Sequence, residues 1–137
     1  LNMGYQDIAT QLINILTGIT DINRVYGFEP KELKDYPTAT VTALSHKDTF
    51  KDTASNQRLF TFMIRLYYRT DIEEDAETIL RNLTDQVTNA LESNVRLNNT
   101  VDFARPTEAK WLYQEREVPV RVVEIEIEAL VRVQRNV

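Results

Sequence analysis

The sequence has no cysteine, only three glycines and a single histidine, His46. Without cysteine there is no disulfide framework and no thiolate chemistry. A lone histidine argues against a zinc site and against a histidine-based catalytic triad, because both need further partners. With so few glycines the chain has no phosphate-binding loop of the Walker or dinucleotide-binding type. We therefore expect no enzymatic activity, no metal and no cofactor.

The chain also lacks an excess of positive charge and a long apolar run. Its net charge of −5 argues against general nucleic-acid binding, which depends on Lys and Arg to neutralise phosphates. No apolar run approaches the roughly 18 residues of a membrane-spanning helix, so we expect no membrane partner. The 137 residues, 42% of them hydrophobic, are typical of one soluble globular domain. Leu1 and Asn2 precede Met3 and are expected to be a cloning remnant, which leaves a single predicted domain at residues 3–137.

Two segments carry the spacing of amphipathic helices. Apolar residues recur every three or four positions from Tyr5 to Ile19 and again from about Ile72 to Glu92. The acidic residues from Asp71 to Glu77 could form a magnesium site, but acids at a helix start are more simply explained as caps that offset the helix dipole. Residues 22–38 contain glycine and two prolines and are predicted to be a connector without a long element.

The middle of the chain predicts two strands separated by a loop. Ala39 to Ser45 is rich in threonine and valine, and Arg58 to Arg69 alternates apolar and polar residues. Phe60 and Phe62 lie on the apolar side of this second strand and are predicted to belong to the core. The polar stretch between the strands, His46 to Gln57, predicts a long exposed hairpin loop.

The last third of the chain predicts a short strand at residues 101–103, a break at Pro106, a strand at Ala109 to Gln114 and a long final strand. The final pattern runs from Val118 to about Gln134, with apolar residues at every second position from Val123 to Val133. This order of elements predicts an α+β fold: a mostly antiparallel sheet of four to five strands, two helices packed on one face, and a long C-terminal strand.

Three groups of residues are candidate interface sites. Phe50, Lys47 and Lys51 lie in the predicted loop, where Phe50 is its strong apolar group. Trp111 and Tyr113 are residue types enriched at binding hot spots, although Trp111 fits the sheet core equally well. The third group is a row of carboxylates on one side of the final strand: Glu124, Glu126 and Glu128. Burying such a row without partners would be costly. We therefore expect it to face solvent or line a central channel, and as the second alternative to pair with Arg or Lys of a neighbouring subunit.

As a whole, the sequence resembles the tail-terminator (tail-completion) proteins of long-tailed bacteriophages. The parts that match are the first helix "YQDIATQLINILTGI", the strand "PTATVTAL", the polar hairpin segment, the strand "RLFTFMIRLYYR", the acidic-start helix "DIEEDAETILRNLTDQVTNAL" and the final strand "VRVVEIEIEALVRV". Together they cover nearly all of residues 3–135.

The resemblance implies a structural, non-enzymatic virion protein. Such subunits assemble in the host cytoplasm as a homo-oligomeric ring, typically a hexamer, at the head-proximal end of the tail tube. The ring stops tube polymerisation and provides the surface that joins the head. It thus implies a tail tube protein and a head-completion or neck protein as partners, with DNA passing through the centre without specific binding.

Two alternatives remain open. Another neck or head-completion protein, such as a connector or stopper, would share much of this outline. A ferredoxin-like domain that binds a ligand or catalyses a reaction is the other, and it would need polar side chains that converge on an apolar pocket.

Overall fold

The computed structural model describes residues 4–50, 55–71 and 73–134. Within them the chain forms two helices and five strands, and no helix is long and apolar enough to cross a membrane. The elements are α1 (Tyr5–Thr17), β1 (Arg24–Tyr26), β2 (Thr38–Phe50), β3 (Ser55–Arg69), α2 (Glu73–Glu92), β4 (Phe103–Gln114) and β5 (Val120–Gln134). All five described strands belong to one sheet in the order β1-β2-β3-β5-β4.

The predicted fold class is confirmed. The pairs β2–β3, β3–β5 and β4–β5 are antiparallel, and only the short β1 runs parallel to its neighbour β2. The predicted long C-terminal strand is β5, which pairs along its whole length with β3, from Val120 beside Arg69 to Gln134 beside Ser55. The alternating pattern of the final strand is long because β3 is equally long. Each of the two strands supplies hydrogen-bonding backbone groups along the full length of the other.

Both helices pack on one face of the sheet, as predicted. The inward residues of α1, which are Ile8, Leu12 and Leu16, are fully buried and belong to one cluster with the apolar positions of α2, β3 and β5. Phe60 and Phe62 are only 1% exposed and lie in this core, so their prediction is confirmed. The helices cover this face because each presents an apolar stripe that must be removed from water.

The first helix begins and ends at glycines. Gly4 takes an extended backbone before α1, and its N–H donates to Asp7 Oδ2 at 3.0 Å, which joins the acid to the positive end of the helix. At the other end, the N–H of Gly18 donates to the carbonyl oxygens of Asn14 and Ile15. The helix therefore ends at Thr17, two residues before the predicted boundary at Ile19.

The connector covers one end of the opposite face. Leu33 and Tyr36 pack there against a second, smaller cluster formed by Tyr67, Val120 and Val122. The connector has no long element, but it contains β1, which the sequence did not predict. Three residues beside Thr38, Ala39 and Thr40 are enough for a parallel ladder but too few to show a period in the sequence.

The prediction of a long loop at His46 to Gln57 is wrong. The strands β2 and β3 stay paired from His46 beside Phe60 to Phe50 beside Asn56. We call this part of the hairpin, residues 46–50 and 56–60, the arm. The strands form here because β5 pairs with β3 along the same residues. Strand β3 therefore has a hydrogen-bonded neighbour on both sides throughout the arm. Asp48 and Arg58 also form a two-pronged ion pair across the arm, at 2.6 and 3.1 Å. The sequence is polar there because much of the arm remains exposed.

The predicted break at Pro106 is also wrong. Strand β4 is continuous through it, with a register irregularity between Pro106 and Glu108. Proline is tolerated because β4 is the outer strand of the sheet. No described strand pairs with the outer side of β4, so an N–H missing on that side removes no hydrogen bond between strands.

Candidate interaction surfaces

The sheet face away from the helices carries three rows of mostly polar side chains between the covered end and the arm. The register places Arg65, Glu124 and Lys110 in one row, and Met63, Glu126 and Glu108 in the next. Thr61, Glu128 and Arg105 form the third. We call this surface the bare face. Two members of the glutamate row of β5 therefore have cations beside them, Glu124 and Glu128, whereas Glu126 has none.

Glu124 has a partner within its own chain. Arg65 Nε lies 2.7 Å from Glu124 Oε2, and the same guanidinium reaches Glu29 of the connector at 3.6 Å and Thr42 Oγ1 at 3.3 Å. Burial disfavours the charged form of Arg65, but the hydrogen bond to Glu124 and the charge of Glu29 outweigh it and raise the pKa of Arg65. The hydroxyl of Tyr67 donates to Glu29, so the cluster fastens the connector to the sheet.

The other two glutamates have different surroundings. Glu126 stands beside Glu108 of β4, and the two, with Met63, Glu124 and Lys110, line a shallow cavity of about 150 Å³. Glu108 is itself 3.6 Å from Lys110. Glu128 lies across from Arg105. All three row members are half-buried. Their role at an interface stays a prediction, but Glu124 is already occupied by Arg65.

The arm carries two of the predicted loop residues. Phe50 is 65% exposed at the end of β2, and Lys47 is exposed in the same strand, whereas Lys51 lies outside the described residues. The base of the arm is fastened to the first helix. The Tyr5 hydroxyl lies 2.6 Å from His46 Nδ1, and its ring meets that of Phe60 edge-on, with centroids 4.9 Å apart.

The outer strand β4 carries the predicted aromatic pair on the helix side of the sheet. Trp111 is 36% exposed and Tyr113 is 62% exposed, so Trp111 stands at the border of the core rather than inside it. The guanidinium of Arg121 lies 4.2 Å from the centre of the Tyr113 ring and also bonds to Glu77 of α2. These contacts fix the ring in place while leaving it accessible.

The sheet has two open edges, a feature that the sequence reasoning missed. Within the described residues, no strand pairs with the outer side of β4, and β1 covers β2 only at Thr38 to Thr40. Beyond that point the outer side of β2 is open from Val41 to Lys47. Long open edges of this kind can pair with another chain. The strand order that creates them depends on long-range pairing, which the alternating pattern of each strand does not encode.

Two shallow cavities lie near the covered end of the sheet. One of about 310 Å³ is lined mainly by charged side chains, among them Lys31, Lys34, Arg69 and Arg116, and a neighbouring one of about 350 Å³ includes Asp71 and Asp75. Several of these charges already have partners: Arg69 bonds to Asp71 at 2.7 Å, and Arg116 donates to the carbonyl oxygens of the connector. No grouping of three or more His, Asp or Glu side chains in the described part of the chain could hold a metal ion.

Comparison with known proteins gives little further information. No known family matches the sequence, and no curated protein does either. Among solved structures, a chain from "Virion of native gene transfer agent (GTA) particle" is similar, with 13% identity, coverage of 92% of both chains and a TM-score of 0.46. A similarity this weak does not indicate the function of the present chain.

Proposed function

We propose that this protein is a structural subunit of a bacteriophage virion, a tail terminator. It would form a closed ring, most simply a hexamer, at the head-proximal end of the tail tube, where it stops tube growth and offers the joining surface for a head-completion protein. The sequence resemblance is the origin of this proposal. The structural observation that supports it best is the sheet with two different open edges, one on β2 and one on β4.

Two unlike edges on opposite sides of one sheet favour a ring over a simple dimer. A two-fold dimer joins the same surface on both copies and would leave the other edge open. A head-to-tail contact uses both edges in every copy, and it closes into a ring when the rotation between copies allows. The end of the arm, where Phe50 is exposed, then remains as a surface for the tube and neck proteins.

The bare face suits the passage of DNA through such a ring. Two of its three rows contain both signs of charge, with Arg65 and Lys110 beside Glu124 and Arg105 beside Glu128. A surface that neutralises few phosphates binds DNA weakly and releases few counterions. DNA would therefore slide past this face rather than adhere to it.

The direct test is the length of tail tubes assembled in its presence. We expect purified protein, added to polymerising cognate tube subunits, to shorten the tubes and to cap one end with a ring visible by negative-stain electron microscopy. Tubes of unchanged length at saturating protein would contradict the termination role.

The same experiment separates the neck-protein alternative. A connector or stopper would leave tube length unchanged but would bind to ends already closed by a terminator. A ferredoxin-like enzyme or ligand-binding domain would do neither.

A further inference from the structure

Each of the two open edges is limited at one end. On β2, the short strand β1 occupies the outer side at Thr38 to Thr40, which leaves Val41 to Lys47. On β4, Pro106 has no N–H to offer and the register is irregular there, which leaves Thr107 to Gln114. Each open segment is thus bounded at one end by a feature of its own chain.

The strand directions allow these segments to pair. The strands β2, β3, β5 and β4 alternate in direction across the sheet, so β4 runs opposite to β2. A second copy placed beside the first, with its helices on the same side, would add its β2 to β4 as one more antiparallel neighbour.

Building on the ring proposed above, we propose that Thr107–Gln114 of one copy pairs antiparallel with Val41–Lys47 of the next copy. The register places Glu108 opposite Lys47 and Lys110 opposite Ser45. The register of β2 shifts between Ala43 and Ser45, where Leu44 is an extra residue, so beyond it Trp111 meets Ala43 and Tyr113 meets Val41. In this alignment each side chain lies across from one on the same face of the sheet.

The side chains beside the two open edges favour pairing with a second copy of the chain. Leu44 is 48% exposed beside the open edge of β2, and Trp111 and Tyr113 are exposed along β4. Pairing would bury part of this apolar surface. The proposed register also joins opposite charges, because Glu108 meets Lys47, which is exposed in the single copy. Opposite charges directly across a ladder stabilise the pair.

In a ring paired in this way, the sheets of all copies would join into one closed barrel, and the proposed register gives that barrel a reasonable strand tilt. Within one copy Glu108 lies in the same row as Thr42, so moving it beside Lys47 of the next copy introduces a stagger of about four ladder steps, or roughly 13 Å. Four strands span roughly 19 Å across the sheet at about 4.8 Å each. The resulting strand tilt is about 35°, within the range found in closed barrels.

The absence of native cysteine makes disulfide trapping a clean test. In one copy, positions 47 and 108 are three strand spacings apart across the sheet and about four ladder steps apart along it, roughly 19 Å in all and too far for an internal disulfide. We expect the double variant Lys47→Cys with Glu108→Cys, oxidised at high protein concentration, to form a covalent ladder from dimer up to the closed ring on a non-reducing gel.

The matched control moves one cysteine to the other face of the same strand. Lys47→Cys with Ala109→Cys keeps the same strands and nearly the same spacing, but its side chains point to opposite faces. We expect disulfides to form at least about tenfold faster in the first variant, because disulfide geometry requires converging Cβ atoms. Equal rates, or no dimer in the first variant, would overturn the proposed pairing.

Charge reversal gives an independent measurement. We expect Glu108→Lys alone to weaken self-association by about two- to fivefold, as for other exposed ion pairs, and Lys47→Glu added to it to restore the lost affinity. If tubes are still terminated but neither the trap nor the rescue works, the ring stands and the strand pairing is wrong. If tubes are not terminated and no ring is trapped, both proposals fail.

Discussion

At the scale of single residues, Glu124 and Glu126 differ only in their neighbours. Glu124 accepts a hydrogen bond from Arg65 at 2.7 Å, whereas Glu126 stands beside Glu108. We expect Glu124→Gln to lower the free energy of unfolding by about 1 kcal/mol, because a half-buried guanidinium then loses its charged acceptor. The matched variant Glu126→Gln should change it by less than about 0.5 kcal/mol and in the stabilising direction, since it relieves repulsion between like charges. Urea unfolding measures both; equal losses would show that the Arg65 contact contributes nothing.

Tyr67 gives the protein an alkaline limit. Burial raises the pKa of Tyr67, and its hydrogen bond to Glu29 raises it further, while Arg65 and Arg116 act in the opposite direction. The unfolded chain therefore loses this proton first, so the contribution to stability is full below about pH 10 and is lost progressively as the pH rises from there toward the raised pKa of the folded state. We expect the urea midpoint of the native protein to fall more steeply than that of Tyr67→Phe as the pH rises above about 10. Tyr36, whose pKa burial also raises, is present in both proteins. Parallel curves would contradict this role.

At the scale of elements, the arm depends on the first helix. Tyr5 contacts both His46 and Phe60 at the base of the arm. We expect Tyr5→Ala to lower stability by about 1–2 kcal/mol and to speed amide hydrogen exchange in the arm around Lys47 and Leu59, because the edge-on ring contact is lost. Tyr5→Phe keeps the ring and should behave almost like the native protein. A loss of stability with unchanged exchange in the arm would mean that the helix does not hold it.

At the scale of the whole molecule, the helices and the connector leave three surfaces accessible: the arm, the bare face and the two open edges. The edges are unlike, which favours head-to-tail assembly, and the three rows of the bare face carry three cations and four glutamates, a small negative excess. A ring of such copies would present helices on one side of its wall and the charged rows on the other. The net charge of −5 therefore does not describe the surface that would meet DNA.

Sequence alone determined the elements with a strong period. The spacing in α1 and α2 and the alternation in β3 and β5 report which side of each element is apolar, and that property is local. It was enough to predict the α+β fold, the long final strand and the burial of Phe60 and Phe62. It failed at the arm, where both sides of the hairpin are largely polar and the strands are supported by pairing with β5 and by contacts with α1. It failed also at Pro106, which is compatible with a strand only at the edge of a sheet.

Only the tertiary structure decided which strands are neighbours, and the candidate surfaces follow from that. The glutamate row was visible in the sequence, but Arg65, 59 residues away from Glu124, was not a foreseeable partner. The open edges exist because β1 stops after Tyr26 and because β4 is the last strand of the sheet. The physical reason is that ladder bonds join backbone groups, which are the same in every residue except proline. Side-chain patterns therefore specify the face of a strand but not the strand beside it.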